Sequence, residues 1–305
     1  MPVHPDAQKY LDLTAGAVPL DTQSAEQNRA DQVESLPLRG EAVEMHSVRD
    51  TEIGGVPVRV YVPFESDGPL PCVIYFHGGG WVIGNRDMVD TTVREIAAEA
   101  GAIGVNVEYR LAPEHPFPAA IDDATAVVTA ILDGDSGLDI AADKVAVAGD
   151  SAGGNISAVI AQQLRGRTPA LAHQVLIYPV TDVATADTGS YAEFAEGHFL
   201  TARDMAYFID QYAGDADRND PRLSPIRSGE LGGLPPATVV IAECDPLADD
   251  GRAYARALLA AGNRVSTVEF MGQVHPFVSL GGIIEDAHVA RQLIGRRLKA
   301  AFAQA

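Results

Sequence analysis

The stretch KVAVAGDSAGGNISAVIAQQL, Lys144 to Leu164, sets Ser151 between glycines, after a short apolar run and ahead of a helical pattern. A serine hydroxyl at neutral pH is a poor nucleophile, and glycine weakens regular structure. The combination makes sense if the glycines hold the hydroxyl out on a sharp turn. Gly149-Asp150-Ser151-Ala152-Gly153 fits G-x-S-x-G, a pattern whose serine sits between a strand and a helix with Oγ above the sheet. VAVA before it and NISAVIAQQL after it supply that strand and that helix. The helix N-terminus carries partial positive charge and favours an anion developing at the same spot.

Working outward, six apolar runs recur: CVIYF (72–76), IGVNVEY (103–109), VAVA (145–148), QVLIYP (174–179), ATVVIAEC (237–244) and VSTVEF (265–270). Most are too continuous for half-exposed antiparallel strands and suit a parallel sheet covered on both faces. Helical patterns lie between them, in MVDTTVREIAAEAG, AAIDDATAVVTAILD, NISAVIAQQLRG and DGRAYARALLAAG. Strand-helix alternation with right-handed crossovers predicts a doubly wound α/β fold. MHSVRDTEI and VPVRVYVP, joined by Gly54-Gly55, read as an antiparallel hairpin at one edge. A last helix is expected from about Ile284 to Ala303.

Residues 1 to about 45 and 183 to about 222 break the alternation. The second segment carries Phe194, Phe199, Tyr207, Phe208 and Tyr212. Together they are expected to form a cap over the carboxyl edge of the sheet, where open α/β sheets bind ligands. The whole chain, 1–305, then reads as one domain with that cap.

Composition narrows the rest. A chain of 305 residues, 47% hydrophobic, can bury a large core. The net charge of −20, from 42 acidic and 22 basic residues, repels phosphate backbones and anionic lipid, so nucleic acid is excluded as a partner. Low Lys with abundant Asp fits either salt adaptation or biased codon usage. No run of roughly 18 apolar residues exists to insert in a bilayer. MPVHPDAQKYLDL lacks the basic and apolar regions of a secretory signal, which points to the cytoplasm. The two cysteines, Cys72 and Cys244, fall at opposite ends of a parallel sheet and read as buried free thiols.

Two further stretches complete a candidate site. In Phe76-His77-Gly78-Gly79-Gly80-Trp81 the consecutive glycines let backbone N–H groups turn toward an oxyanion. The amides of Gly78, Gly79 and Ala152 are the candidate donors. A nucleophilic serine also needs a base and a group to orient it, in chain order serine, acid, histidine for this arrangement. His275, in the loop MGQVHPF after the last strand, is the candidate base; His173, His198 and His288 lie elsewhere. Asp245, at the end of ATVVIAEC and one strand before the histidine loop, is the favoured acid, with Asp182 of YPVTD its rival. Asp249 and Asp250 look like helix N-terminal residues. Trp81 and Asp150 are candidates for the substrate pocket, although core packing for Trp81 and loop organisation for Asp150 fit as well.

HGGGW, YRLAPEHPFPAA (109–120), GDSAGGN (149–155), YPVTD and DPLADDG, followed by His275-x-Phe277, together resemble the hormone-sensitive lipase family of α/β hydrolases. The resemblance runs from about residue 45 to the end, and EGHFLTARDMAYFIDQYAG resembles the family's cap helices. It implies an α/β-hydrolase fold, with a mostly parallel sheet of about eight strands, flanking helices and a helical cap. It also implies carboxylesterase activity on short- to medium-chain acyl esters, without metal or cofactor. Ser151, Asp245 and His275 would be the triad, with Gly78, Gly79 and Ala152 as oxyanion donors. A homodimer along the last strand and its helices is a further implication. Pro276 departs from the glycine that commonly follows the family's histidine, and AEC departs from the small residues usual before its acid. An amidase, a lactonase, a deacetylase, or a non-catalytic binding protein on the same fold remain alternatives.

Overall fold

The computed structural model describes residues 2–305. After two helices, α1 (Pro5–Thr14) and α2 (Ala25–Gln32), the chain enters one sheet of eight strands. In chain order these are β1 (Ser47–Ile53), β2 (Val56–Val62), β3 (Leu70–Phe76), β4 (Ile103–Val107), β5 (Ile140–Asp150), β6 (His173–Ile177), β7 (Ala237–Cys244) and β8 (Val265–Val274). Their spatial order is β1-β2-β4-β3-β5-β6-β7-β8. β2 runs antiparallel to both neighbours, and every other pairing is parallel. The connecting helices are α3 (Asp90–Ala100), α4 (Ala119–Leu132), α5 (Ala152–Gln163), α8 (Ala248–Ala260) and α9 (Glu285–Phe302), with α6 (Gly189–Glu193) and α7 (Ala202–Ala213) between β6 and β7.

The period of two in the strands splits the core into layers. Along β3, Cys72, Ile74 and Phe76 face a cluster with Ile121, Val128, Ile156 and Val159 of α4 and α5. Val73 and Tyr75 face the other side, against Val93 and Ile96 of α3 and Ile294 and Leu298 of α9. With both faces covered, the central strands are buried almost throughout, which is why they read as unbroken apolar runs. Two strands exceed their runs: β5 begins at Ile140, and β8 continues to Val274 past a register shift opposite Ala242 and Cys244. His173 is the first residue of β6 rather than a residue preceding it. Both cysteines are free and buried.

The N-terminal segment and the insert pack on each other. Tyr10 and Phe199 rings lie 4.9 Å apart, Arg203 pairs with Asp21, and Asn28 Nδ2 reaches Tyr207 OH at 3.4 Å. A capping box of Thr201 and Asp204 starts α7. Its buried residues Met205, Phe208, Ile209 and Tyr212 follow helical spacing and form one stripe. That stripe meets the loop after β3, where Tyr212 stacks on Trp81 at 4.5 Å and 7°. No helix among the described residues is long and apolar enough to cross a membrane.

Candidate active site

The carboxyl ends of β3, β5, β6 and β8 converge on one cavity of about 1430 Å³. Ser151, His275, Asp150 and the three glycines of His77-Gly78-Gly79-Gly80 line it from the sheet side. Residues of the N-terminal segment and of the insert, among them Tyr10, Leu20, Phe199 and Phe208, line the opposite side.

Ser151 occupies the turn between β5 and α5 with φ 57° and ψ −118°, a conformation that costs free energy for any residue with a Cβ. The surroundings hold it there. Its N–H donates to Ile177 O at 2.8 Å, and its carbonyl accepts from Asn155 N at 3.1 Å. Gly153 is required by a close approach, because a Cβ at that position would collide with the Phe76 carbonyl. Asn155 ties the start of α5 to two loops, donating to Val180 O at 3.0 Å and Leu223 O at 2.9 Å. The asparagine after the glycines was not singled out from the sequence, although GDSAGGN displays it.

His275 leaves β8 and turns its ring toward the end of β7. Nδ1 lies 2.8 Å from Asp245 Oδ2, with both residues buried. Asp245 Oδ1 accepts the Leu247 N–H at 2.9 Å, which fixes the carboxyl group in its turn. Pro276 therefore leaves the ring free to reach Asp245. Tyr178 covers the histidine, its ring 4.5 Å away, a neighbour that apolar patterning alone does not reveal. Asp182 is occupied elsewhere, bonded to Arg227 at 2.8 Å. Among the other histidines, His198 lies in the insert, His288 is bound to Glu95, and His173 sits at the far edge of the sheet.

The glycine loop requires one correction. The Gly78 N–H donates to Asp150 Oδ1 at 3.1 Å, so it is engaged within the protein rather than open to a ligand. Asp150 Oδ1 also accepts Tyr75 OH at 2.9 Å, and burial pushes the pKa of its carboxyl up. Asp150 thus organises the loop from within although it borders the cavity. Among the described residues, Gly79 N and Gly80 N donate to no protein acceptor, and both residues line the cavity. Gly79 has φ 111°, and a Cβ there would collide with the Ile83 carbonyl. Ala152 opens α5, where the first N–H groups have no partner within the helix. His77 stacks on Tyr109 at 4.3 Å while Tyr109 OH donates to His77 O at 2.8 Å, which stiffens the loop's entrance.

Trp81, a candidate for the pocket, is fully buried against Tyr212 and outside the cavity lining. Of the two readings the sequence leaves open for Trp81, the stripe of α7 supports packing. Arg110 is held by Asp123 at 2.7 Å and Glu114 by Arg29 at 2.7 Å, so both brace the long loop after β4.

This sheet order, with a serine turn after its fifth strand and a buried histidine-aspartate pair at the same edge, is the architecture of an α/β hydrolase. The pattern of the α/β-hydrolase fold family matches residues 73–279. An ethyl acetate hydrolase of Pseudomonas putida is 38% identical over 304 residues, 94% of this chain and 95% of that protein. A carboxylesterase of Mycobacterium tuberculosis is 40% identical over 265 residues, 85% of this chain and 81% of that protein. Among solved structures, the hyperthermophilic esterase of the archaeon Pyrobaculum calidifontis superposes with a TM-score of 0.92 at 37% identity, covering 98% of this chain and 99% of that one. The chain belongs to the α/β-hydrolase family, in the branch of carboxylesterases that resembles hormone-sensitive lipase.

Proposed function

We propose that this carboxylic ester hydrolase is a serine carboxylesterase acting on short- to medium-chain acyl esters through an acyl-enzyme. Ser151 is the nucleophile, His275 the general base and then acid, and Asp245 the residue that fixes the histidine tautomer. His275 Nε2 takes the Ser151 proton as Oγ attacks the carbonyl carbon. Asp245, on Nδ1, stabilises the imidazolium without itself taking the proton. The imidazolium then protonates the leaving alcohol, and a water activated by the same ring releases the acid.

The oxyanion is received by the amides of Gly79, Gly80 and Ala152, with Gly78 anchoring the loop through Asp150. The N-terminal segment, about 1–45, and the insert, about 183–222, act as the cap that bounds the substrate cavity. The observation that carries the reading is the 2.8 Å contact between His275 Nδ1 and Asp245 Oδ2 at the edge where Ser151 stands in its strained turn.

Hydrolysis of p-nitrophenyl esters from acetate to palmitate, wild type beside Ser151→Ala, tests it. Wild type is expected to prefer the short esters, and the variant to fall by several orders of magnitude, roughly the loss seen for triad knockouts. Equal rates would remove Ser151 as nucleophile. A preference for palmitate would overturn the chain-length assignment alone.

A further inference from the structure

Arg39 is the residue of the cavity wall that the hydrolytic machinery leaves unused. It closes a short 3-10 helix, Val33–Arg39, and is only 9% exposed. Its Nη1 donates to Ser279 Oγ and its Nη2 to Ser35 Oγ at 3.1 Å, while Nε has no partner. Among the described residues its side-chain partners are these two hydroxyls and no carboxylate. A guanidinium has five N–H donors and keeps its charge in proteins. Burying that charge without an opposite one is costly. Burial accordingly pushes the pKa of Arg39 down.

The contrast with other arginines is direct. Arg291, also buried, has Glu95 at 3.1 Å and the Val278 carbonyl at 2.8 Å. Arg203, the other arginine of the cavity wall, has Asp21. Asp150, the buried acid beside Ser151, acts on Arg39 only from a distance: it makes no hydrogen bond to the guanidinium and commits Oδ1 to Tyr75 and Gly78.

Position ties Arg39 to the chemistry. Ser279 Oγ and Ser279 N both donate to Pro276 O at 3.0 Å, so the guanidinium is linked through one hydroxyl to the loop that carries His275. Arg39, Ser35 and Ser279 line the same cavity as Ser151 and His275.

We propose that Arg39, held in place by the hydroxyls of Ser35 and Ser279, binds through its remaining N–H donors a carboxylate carried by the ester substrate, so that the favoured substrates are anionic esters. A carboxylate is the planar acceptor that a guanidinium fork matches best, and it would supply the direct ion pair that Arg39 does not make with Asp150. The protein's net charge of −20 opposes anions at long range, so the gain must arise from the contact itself. The inference rests on the esterase reading above and adds a substrate class to it. The carboxylate could sit on the acyl side, as in half-esters of dicarboxylic acids, or on the alcohol side, as in acyl esters of hydroxy acids.

Two matched pairs separate these sources. Monoethyl glutarate against diethyl glutarate reports the acyl side, and 3-acetoxybenzoate against its methyl ester, followed by acetate release, reports the alcohol side. In at least one pair the anionic member is expected to have kcat/KM about tenfold or more above the neutral one, the scale of a charged hydrogen-bonded contact. Arg39→Gln should lower that ratio by about tenfold to a hundredfold, mainly through KM, and Arg39→Lys should restore part of it.

A wild-type preference for the neutral member in both pairs overturns the proposal. So does an unchanged ratio in Arg39→Gln, which would make Arg39 a tether for the histidine loop. If Arg39→Gln does not fold, the wild-type ratios decide together with inhibition of p-nitrophenyl acetate hydrolysis by glutarate and benzoate; preference plus inhibition supports the proposal, and absence of either overturns it. A wild type inactive on every ester, p-nitrophenyl acetate included, overturns the esterase reading itself and is recognisable as that separate result.

Discussion

Two buried histidines stand at opposite edges of the same sheet. His275 follows β8 at the carboxyl edge, where its Nδ1 meets a buried carboxylate and its ring borders a large cavity. His173 begins β6 at the amino edge, where Nε2 meets the Thr238 hydroxyl at 2.9 Å and Nδ1 has no partner. Both are more than nine-tenths buried, so burial does not distinguish them. The partner does. A carboxylate can stabilise an imidazolium during a reaction, whereas a hydroxyl in an apolar setting leaves the neutral ring favoured. Burial and the distant charges of Arg297 and Arg264 lower the pKa of His173 to about 4. In the proposed mechanism the carboxyl edge carries a charge that comes and goes, whereas burial keeps His173 at the amino edge neutral.

Asp245→Asn keeps the shape of the pair and removes its charge; kcat should fall by roughly three to four powers of ten on p-nitrophenyl acetate, with the melting temperature little changed. A fall below about tenfold would show that the pair is not catalytic.

Asp150→Ala frees the Gly78 amide and lets the glycine loop drift. Because it displaces the proposed oxyanion donors without deleting one, kcat should fall by about tenfold to a hundredfold, less than the full loss of a donor. An unchanged kcat in a folded variant would detach Asp150 from the loop's function.

The smallest effect belongs to the amino edge and is read as stability. An unfolded histidine takes up its proton near pH 6.5, whereas folded His173 resists until about 4. Between those values the unfolded chain binds more protons, so stability falls as pH drops through the window and is fully present above it. The full contribution is about 3 kcal/mol. His173→Gln should flatten the melting-temperature curve from pH 6.5 to 4 and leave kcat near wild type at pH 8. Asp250 opposes it. Burial raises the carboxyl of Asp250 to about 7, so the folded state retains a proton that the unfolded state loses, and stability falls as pH rises from about 4 toward 7. Asp250→Asn should therefore steepen the acid loss that His173 causes. If His173→Gln lowered kcat as far as Asp245→Asn, the two edges would not be distinct in kind.

Much of this architecture was legible in the chain because it depends on spacing. Parallel strands buried on both faces leave continuous apolar runs, and the serine turn advertises itself by glycines that a Cβ would obstruct. The histidine loop could be located because it follows the last run. What stayed hidden depends on side-chain partners. Within three consecutive glycines nothing distinguishes the Gly78 amide, claimed by Asp150, from those of Gly79 and Gly80. Trp81 has the composition of a pocket wall, and only the stripe of α7 shows that it is packed. Arg39 lies in VESLPLRG, a short 3-10 segment with no periodic pattern, and its lack of a hydrogen-bonded carboxylate appears only once the chain is folded.

If the carboxyl edge makes Ser151 nucleophilic through His275, covalent labelling should find Ser151 and depend on His275. The wild type and His275→Ala are incubated with a fluorophosphonate, and the labelled peptide is located by mass spectrometry. One adduct per chain is expected, on Ser151, formed rapidly by the wild type and slower by roughly three powers of ten or more in the variant. An adduct at another residue, or equal labelling rates in the two proteins, would contradict it.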